Sequence, residues 1–176
     1  TNWNLVTGTN PDVAITTSDT YDTEPSTETL VNGTKNFTIN LKTAGSTLTS
    51  LIATDVAPAV YNPYTTQNLT VNPGAGVKLQ ILIPGETAVP GDTANNGKVS
   101  NPIARTVGVA FDTTVNCVDA QWNTNPGANP TVTITSSDTN AGLPAASGLS
   151  TGTKTFSVVL NTAGSASITA TDTDGS

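Results

Sequence analysis

The sequence has no histidine, the residue on which most side-chain proton transfer and many transition-metal sites depend. Nucleophiles of the Ser-His-Asp and Cys-His kinds are therefore excluded. Paired carboxylates are the remaining option, but Glu24, Glu28 and Glu86 are predicted to lie in polar surface loops. Nothing apolar would raise a carboxyl pKa there, as acid catalysis requires. The sequence predicts a protein that is not an enzyme.

Charged residues are scarce, at 11% of the chain, and only six are Lys or Arg, which gives a net charge of −7. Without a basic patch, neither nucleic acid nor an anionic membrane surface is an expected partner. No apolar run approaches the roughly 20 residues of a membrane-spanning helix, so membrane insertion is not expected. The first residues lack the basic and apolar regions of a secretory signal. We interpret the chain as a mature form whose leader was removed, and expect an extracellular or cell-surface location.

The chain has one cysteine, which cannot form a disulfide within the chain. Cys117 is in phase with Val109, Phe111 and Val115 on one face of a predicted strand. A buried thiol that behaves as a small apolar side chain is the expected environment.

Helical periodicity is also missing. Apolar residues alternate at period two in short runs between Gly, Pro, Asn and Asp, which is typical of an all-β protein. In the second half of the chain this alternation predicts strands at residues 77–83, 107–118, 132–134, 156–160 and 168–170, with a long irregular connection between the first two. In the first half it predicts strands at residues 13–15, 37–41, 48–52 and 69–71. Two cores are expected, one filled by Phe37, Ile39 and Leu41 and the other by Phe156, Val158 and Leu160.

What the sequence does contain is a long internal repeat, because residues 3–55 recur at 122–172. Trp3-Asn4 returns as Trp122-Asn123, which sets a spacing of 119 residues. The spacing shortens to 117 near the end, where Ala53-Thr54-Asp55 matches Ala170-Thr171-Asp172. A repeat of this length is too long for a solenoid and suits one small domain.

The strand sequences VKLQILIPG, VTITSSD, GTKTFSVVL and TAGSASITATD, with a strand ending in VDAQWN, resemble bacterial Ig-like repeat domains of the invasin and intimin kind. These domains occur in giant surface or secreted proteins. The resemblance implies tandem immunoglobulin-like β-sandwiches joined end to end, which serve as stalks, spacers and fibre units. In the Ig strand order, residues 1–73 would hold strands C, E, F and G of one domain, and residues 74–176 strands A, B, C, E and F of the next.

Each sandwich would then be incomplete within this chain and would leave a sheet edge with unpaired backbone groups. Two explanations follow. The chain is part of a longer tandem protein, or neighbouring subunits complete each other by strand donation. In both cases the partners are copies of this chain or neighbouring Ig-like repeats. The leading hypothesis is a non-enzymatic structural unit of an extracellular or cell-surface fibre or stalk.

Four aromatic residues support an alternative function, an adhesin or a carbohydrate-binding module. Trp3 and Trp122 occupy equivalent positions, and Tyr61 and Tyr64 are expected in the loop between strands F and G, at the same pole. Exposed aromatic rings there would stack on sugars. The competing interpretation is that Trp122 packs against the preceding domain across the linker, residues 72–76.

Three carboxylates are expected near this same pole, those of Asp119, Asp172 and Asp174. Calcium binds six to eight oxygen ligands, so the three form a candidate calcium site that would stiffen the junction. The segment from Asp172 lacks the later Glu of a complete calcium loop. The alternative is that these residues cap turns in solvent. No other cofactor is expected.

Overall fold

The computed structural model describes residues 4–45 and 49–174, and the chain divides into two compact units. Unit 1 is Thr1–Asn72 and unit 2 is Pro73–Ser176. The described residues form β-strands and no helix, which confirms the all-β prediction. None of these residues belongs to a helix that could cross a membrane.

The described part of unit 1 has four strands in one antiparallel sheet. They are β1 (Asp12–Thr17), β2 (Glu28–Thr29), β3 (Leu51–Asp55) and β4 (Tyr64–Thr65). The sheet order is β2-β1-β3-β4. The predicted strand at residues 69–71 is reduced to a single bridge between Leu69 and Thr49. The predicted strand at residues 37–41 is absent, for a reason that concerns the candidate site below.

The described part of unit 2 has eight strands in three antiparallel sheets. They are β5 (Lys78–Leu82), β6 (Thr87–Ala88), β7 (Lys98–Val99), β8 (Ala110–Val118), β9 (Thr131–Ser136), β10 (Ser147–Gly148), β11 (Thr153–Val159) and β12 (Ile168–Asp172). One sheet has the order β11-β8-β5, the second β10-β9-β12, and β6 pairs with β7 as a hairpin.

The apolar faces of the two three-stranded sheets contribute to one core. Its buried members are Phe111, Val115, Cys117, Val132, Ile134, Leu149, Phe156 and Val158, and Leu79 and Ile81 of β5 pack against them. The predicted burial of Cys117 is confirmed, since this residue is 6% exposed. Burial raises the pKa of its thiol, and the nearby Asp172 carboxylate raises it further.

The other face of β5 and β8 is covered by the β6–β7 hairpin, in a segment that the sequence predicts to be irregular. Gln80 and Asn116 are buried there, and Gln80 Nε2 donates a hydrogen bond to Gly97 O at 2.7 Å. Asn116 Nδ2 donates to Gln80 Oε1, and Thr153 Oγ1 donates to Asn116 Oδ1. Because these amides have partners, a polar layer can be buried here without a large desolvation cost.

Thr113 gives a first prediction, since it is 0% exposed and its hydroxyl has no hydrogen-bond partner among the described residues. Thr113→Val keeps the branched shape and removes the unsatisfied group. We expect the free energy of unfolding to rise by about 1–2 kcal/mol, measured by urea denaturation. The control is Thr135→Val at an exposed position of β9, expected to change stability by no more than about 0.5 kcal/mol. A loss of stability in Thr113→Val would contradict this assignment.

Candidate functional site: the open core of unit 1

The internal repeat assigns three of the four described strands of unit 1 a counterpart in unit 2. β1, β2 and β3 correspond to β9, β10 and β12. Their pairings correspond as well, because β1 lies between β2 and β3 as β9 lies between β10 and β12. Residues 34–40 correspond to β11, and the bridges that flank them are also repeated. Val31 bridges Thr34 as Ser150 bridges Thr153. Segment 34–40 therefore starts from the same turn as β11.

In unit 2, β11 pairs along its length with β8, from Thr153 opposite Asn116 to Val159 opposite Ala110. β8 in turn pairs with β5. In unit 1, residues 35–39 pair with no strand within the described residues. This explains the absent strand: segment 34–40 has the alternation of a strand, but a strand is assigned only where a partner completes the ladder.

The apolar residues of unit 1 that correspond to the unit 2 core are Val13, Ile15, Leu30, Phe37 and Ile39. Their counterparts, Val132, Ile134, Leu149, Phe156 and Val158, are at most 6% exposed. None of the five in unit 1 is buried. We call these five residues the open core. The expectation that Phe37, Ile39 and Leu41 fill a closed core is therefore wrong, because unit 1 as described has no counterpart of β5 and β8 to cover them.

A groove of about 410 Å³ lies at the open core. Val13 and Leu30 line it together with Leu5, Tyr61 and Tyr64. Tyr61 and Tyr64 are 46% and 53% exposed, and Tyr61 Oη donates a hydrogen bond to Thr9 Oγ1 at 3.0 Å. The two predicted aromatic residues therefore line one apolar surface.

The placement of Tyr64 in a loop was wrong. Tyr64 lies in β4, opposite Ala53 of β3, and both residues line the groove. Direct pairing puts the two side chains on the same face of the sheet. The Tyr64 ring therefore extends the apolar surface of the open core.

Trp122 is not part of this groove. Trp3 lies outside the described residues. Trp122 is in unit 2, where Lys78 Nζ lies 3.7 Å from the centre of its ring in a cation–π contact. A side chain at Gly97 would come within 2.2 Å of Trp122 Cβ, so this residue packs closely against the β6–β7 hairpin of its own unit.

The structure does not bring Asp119, Asp172 and Asp174 together as a calcium site. Among the described residues, no group of three or more His, Cys, Asp or Glu side chains could hold a metal ion. Asp119 is buried and accepts hydrogen bonds from the backbone N–H groups of Gly74, Gln121 and Asn123. Burial opposes ionisation of Asp119, but these bonds and one from the Asn123 side chain outweigh it and lower its pKa.

The other two predicted ligands also have backbone partners. Asp172 Oδ1 accepts from Asp174 N at 2.9 Å, and Asp174 Oδ2 accepts from Thr131 N at 2.6 Å. These bonds hold the end of β12 against the start of β9. The three carboxylates stabilise turns and strand ends of unit 2.

A pair of structural aspartates was missed from the sequence, although both are part of the repeat. Asp138 Oδ2 accepts from the N–H groups of Asn161 and Thr162, and its Oδ1 accepts from Thr162 Oγ1 at 2.7 Å. Asp19 makes the same three contacts with Lys42 and Thr43 in unit 1. Each carboxylate fixes the chain that follows segment 34–40 or β11, so this part of the fold forms in both units.

Asp138 gives a second prediction. The hydrogen bond from the Thr162 hydroxyl and those from the N–H groups of Asn140, Asn161 and Thr162 lower its pKa from 3.8 to about 2. Because the folded pKa is below the unfolded one, the stabilisation is complete above about pH 5 and is lost as the pH falls through the folded pKa of about 2. We expect Asp138→Asn to lower Tm at neutral pH.

The pH dependence of this difference is the measurement. Calorimetry should find a constant Tm difference between the native protein and Asp138→Asn above about pH 5, narrowing between about pH 4 and pH 2. Asp112→Asn, at an exposed position of β8, is the control and should leave Tm nearly unchanged. A difference that stays constant down to pH 2 would show that Asp138 ionisation does not contribute.

The expectation that all three candidate glutamates lie in surface loops is wrong for two of them, because Glu28 lies in β2 and Glu86 is buried. The Glu86 side chain is 4% exposed and pairs with Lys98 Nζ at 2.7 Å. Burial alone would raise the pKa of Glu86, but the bonds from Lys98, the Ile83 N–H and the Ser100 hydroxyl lower it. A carboxyl group held in its ionised form is unsuited to general acid catalysis.

No protein family, curated protein or solved structure matches this chain.

Proposed function

We propose that this protein is a non-enzymatic structural unit of an extracellular or cell-surface fibre or stalk, built from Ig-like domains that complete one another. One observation is the main support for this proposal. The apolar residues that form the buried core of unit 2 are repeated in unit 1, where they remain partly exposed. The open core of unit 1 is the surface that a neighbouring Ig-like repeat covers.

The energetics favour such a partner. Full burial of one Val, Leu, Ile or Phe side chain contributes about 1.5–3 kcal/mol relative to exposure. The open core has five such residues, and each is already partly covered. A partner that closes the open core therefore gains only part of this free energy at each residue, but it gains it at all five. An uncovered apolar surface with an unpaired strand beside it is also prone to non-specific association. A specific neighbouring unit removes this risk.

The composition supports the same role. The chain has few charges, no histidine and many Thr, Ser, Asn and Gly residues, which suits a neutral, hydroxyl-rich surface better than a catalytic centre. The resemblance to bacterial Ig-like repeats of the invasin and intimin kind implies a structural unit of a fibre or stalk, and it supports the extracellular location.

Glycan binding is the second candidate, and the groove of unit 1 favours it. Two partly exposed tyrosines, Tyr61 and Tyr64, lie beside the polar side chains of Asn4 and Asn62. This combination of aromatic rings and amides suits a sugar ligand. Binding on a glycan array that is lost in Tyr64→Ala and retained in Tyr21→Ala, which lies outside the groove, would favour this candidate.

Negative-stain electron microscopy of material isolated from the natural source tests the structural role. Regular filaments with an axial repeat of one Ig-like domain, or of one subunit, are the expected result. Compact separate particles would contradict the proposal and make glycan binding the first candidate.

A further inference from the structure

We propose that segment 34–40 binds a donor strand of the β8 kind, supplied by a neighbouring repeat unit, in the register of the β8–β11 ladder. This inference rests on the proposed function and names the partner and geometry of the open core. The donor strand is antiparallel to segment 34–40. Its Phe111 counterpart lies opposite Ile39 and its Thr113 counterpart opposite Phe37, as the β11 pairing prescribes.

The sequence of the acceptor supports this register. Segment 34–40 reads TKNFTIN and β11 reads TKTFSVV, so Thr, Lys and Phe recur at the same positions and Ile39 replaces Val158. Both segments therefore present a Phe and a β-branched residue on the core side, and short polar residues at the two positions that flank the Phe. A strand that fits β11 meets similar side chains on segment 34–40.

The turn before the segment fixes where the donor strand ends. Asn32 and Gly33 have φ angles of 52° and 78°, and Thr151 and Gly152 have 51° and 76°. In unit 2 this turn places Gly152 O to accept a hydrogen bond from Cys117 N at 2.8 Å. Gly33 O occupies the corresponding position in unit 1 and is placed to accept the same bond from the donor.

The chemistry of the donor follows from β8. Along β8, Phe111, Thr113, Val115 and Cys117 alternate with residues of the opposite face, and all four are buried in unit 2. The open core lacks this row of side chains. A donor with alternating apolar residues supplies it, and its backbone pairs with that of residues 35–39, which have no strand partner within the described residues.

The donor is a strand from another repeat and not β8 of a folded unit 2. In unit 2, β8 pairs with β5 on one edge and β11 on the other, so both of its edges are occupied. Its release would open the core of unit 2. A neighbouring unit whose own β8 counterpart lacks an acceptor has no such cost.

Disulfide trapping tests the register. Because Cys117 N donates to Gly152 O, the hydrogen-bonded pairs of the ladder fall on odd-numbered β8 residues, and Thr114 opposite Thr155 is a non-hydrogen-bonded pair. Cα atoms in such pairs lie about 4.5 Å apart, within the range for a disulfide. Asn36 is the counterpart of Thr155 and is exposed.

The experiment uses the full chain with Cys117→Ala and Asn36→Cys, and a synthetic peptide of residues 106–119 with Cys117→Ala and Thr114→Cys. The disulfide is expected to form at least about tenfold faster than with a peptide that carries Asp112→Cys instead. The cysteine of that peptide would lie diagonally across from residue 36, about 7–8 Å away from it. The matched control is the Thr155→Cys chain. Thr155 is equally exposed, but its partner edge is occupied by β8, so no trapping is expected.

A second measurement needs no substitution in the chain. Adding the peptide with its native Thr114 should slow hydrogen exchange at residues 35–39 and leave residues 154–158 unchanged. Equal trapping at both peptide positions, trapping at Thr155→Cys, or unchanged exchange at residues 35–39 would overturn the inference. Filaments from the natural source together with any of these results would retain the structural role and reject only the donor-strand inference.

Discussion

Phe156→Ala is expected to lower the free energy of unfolding of unit 2 by about 3–5 kcal/mol, because it removes a large side chain from a closed core. Phe156 is 3% exposed and lies among Phe111, Val115 and Val158 in that core. Typical domains have only about 5–15 kcal/mol of stability. Unit 2 of this variant should therefore be partly unfolded under mild denaturing conditions.

The equivalent change in unit 1, Phe37→Ala, is the matched control. Phe37 is only partly buried, so its loss leaves no closed cavity, and the expected change is at most about 1.5 kcal/mol. Urea denaturation followed by hydrogen exchange reports on each unit separately. Equal losses for the two variants would show that unit 1 is packed as tightly as unit 2, and would contradict the assignment of an open core.

Lys98→Met is expected to destabilise unit 2 by about 2–4 kcal/mol, because it leaves the buried Glu86 carboxylate without its cation. The two side chains are 24% and 4% exposed, and Nζ lies 2.7 Å from Oε1. The remaining partners of Glu86, Ile83 N and Ser100 Oγ, are neutral. The β6–β7 hairpin that carries Lys98 should then detach from the outer face of β5.

Lys35→Met is the control, since Lys35 pairs with Glu28 at 3.0 Å but both side chains are more than one third exposed. Exposed ion pairs contribute little, so this variant should unfold like the native protein. In addition, Glu86→Gln combined with Lys98→Met should recover part of the lost stability, because the buried charge is removed. Thermal unfolding by circular dichroism measures all three. Similar Tm values for Lys98→Met and Lys35→Met would contradict this prediction.

Much of the fold could be predicted from the sequence, because period-two alternation is a local signal. It located β1, β8, β9, β11 and β12. The same alternation at residues 37–41 predicted a strand that did not form. Alternation reports which face of a strand is apolar, but a ladder also needs a partner strand, and the described part of unit 1 does not supply one.

The candidate site shows the same limit. Tyr61 and Tyr64 were identified as aromatic site residues, and they line the groove. The burial of Glu86 was missed, because it depends on Lys98, twelve positions later, and on a hairpin with no alternation. The expected calcium ligands were acidic residues in turns, and sequence does not show that backbone N–H groups bind Asp119.

The most direct test of the central claim is hydrogen exchange at residues 35–39, compared between material isolated from the natural source and the separate 176-residue chain. Completion by a neighbouring unit predicts slow exchange of these amides in the natural material and fast exchange in the separate chain. Residues 154–158, in the completed ladder of unit 2, should exchange slowly in both. Fast exchange of residues 35–39 in the natural material would contradict the account, because it would mean that no strand pairs with segment 34–40 where the protein works.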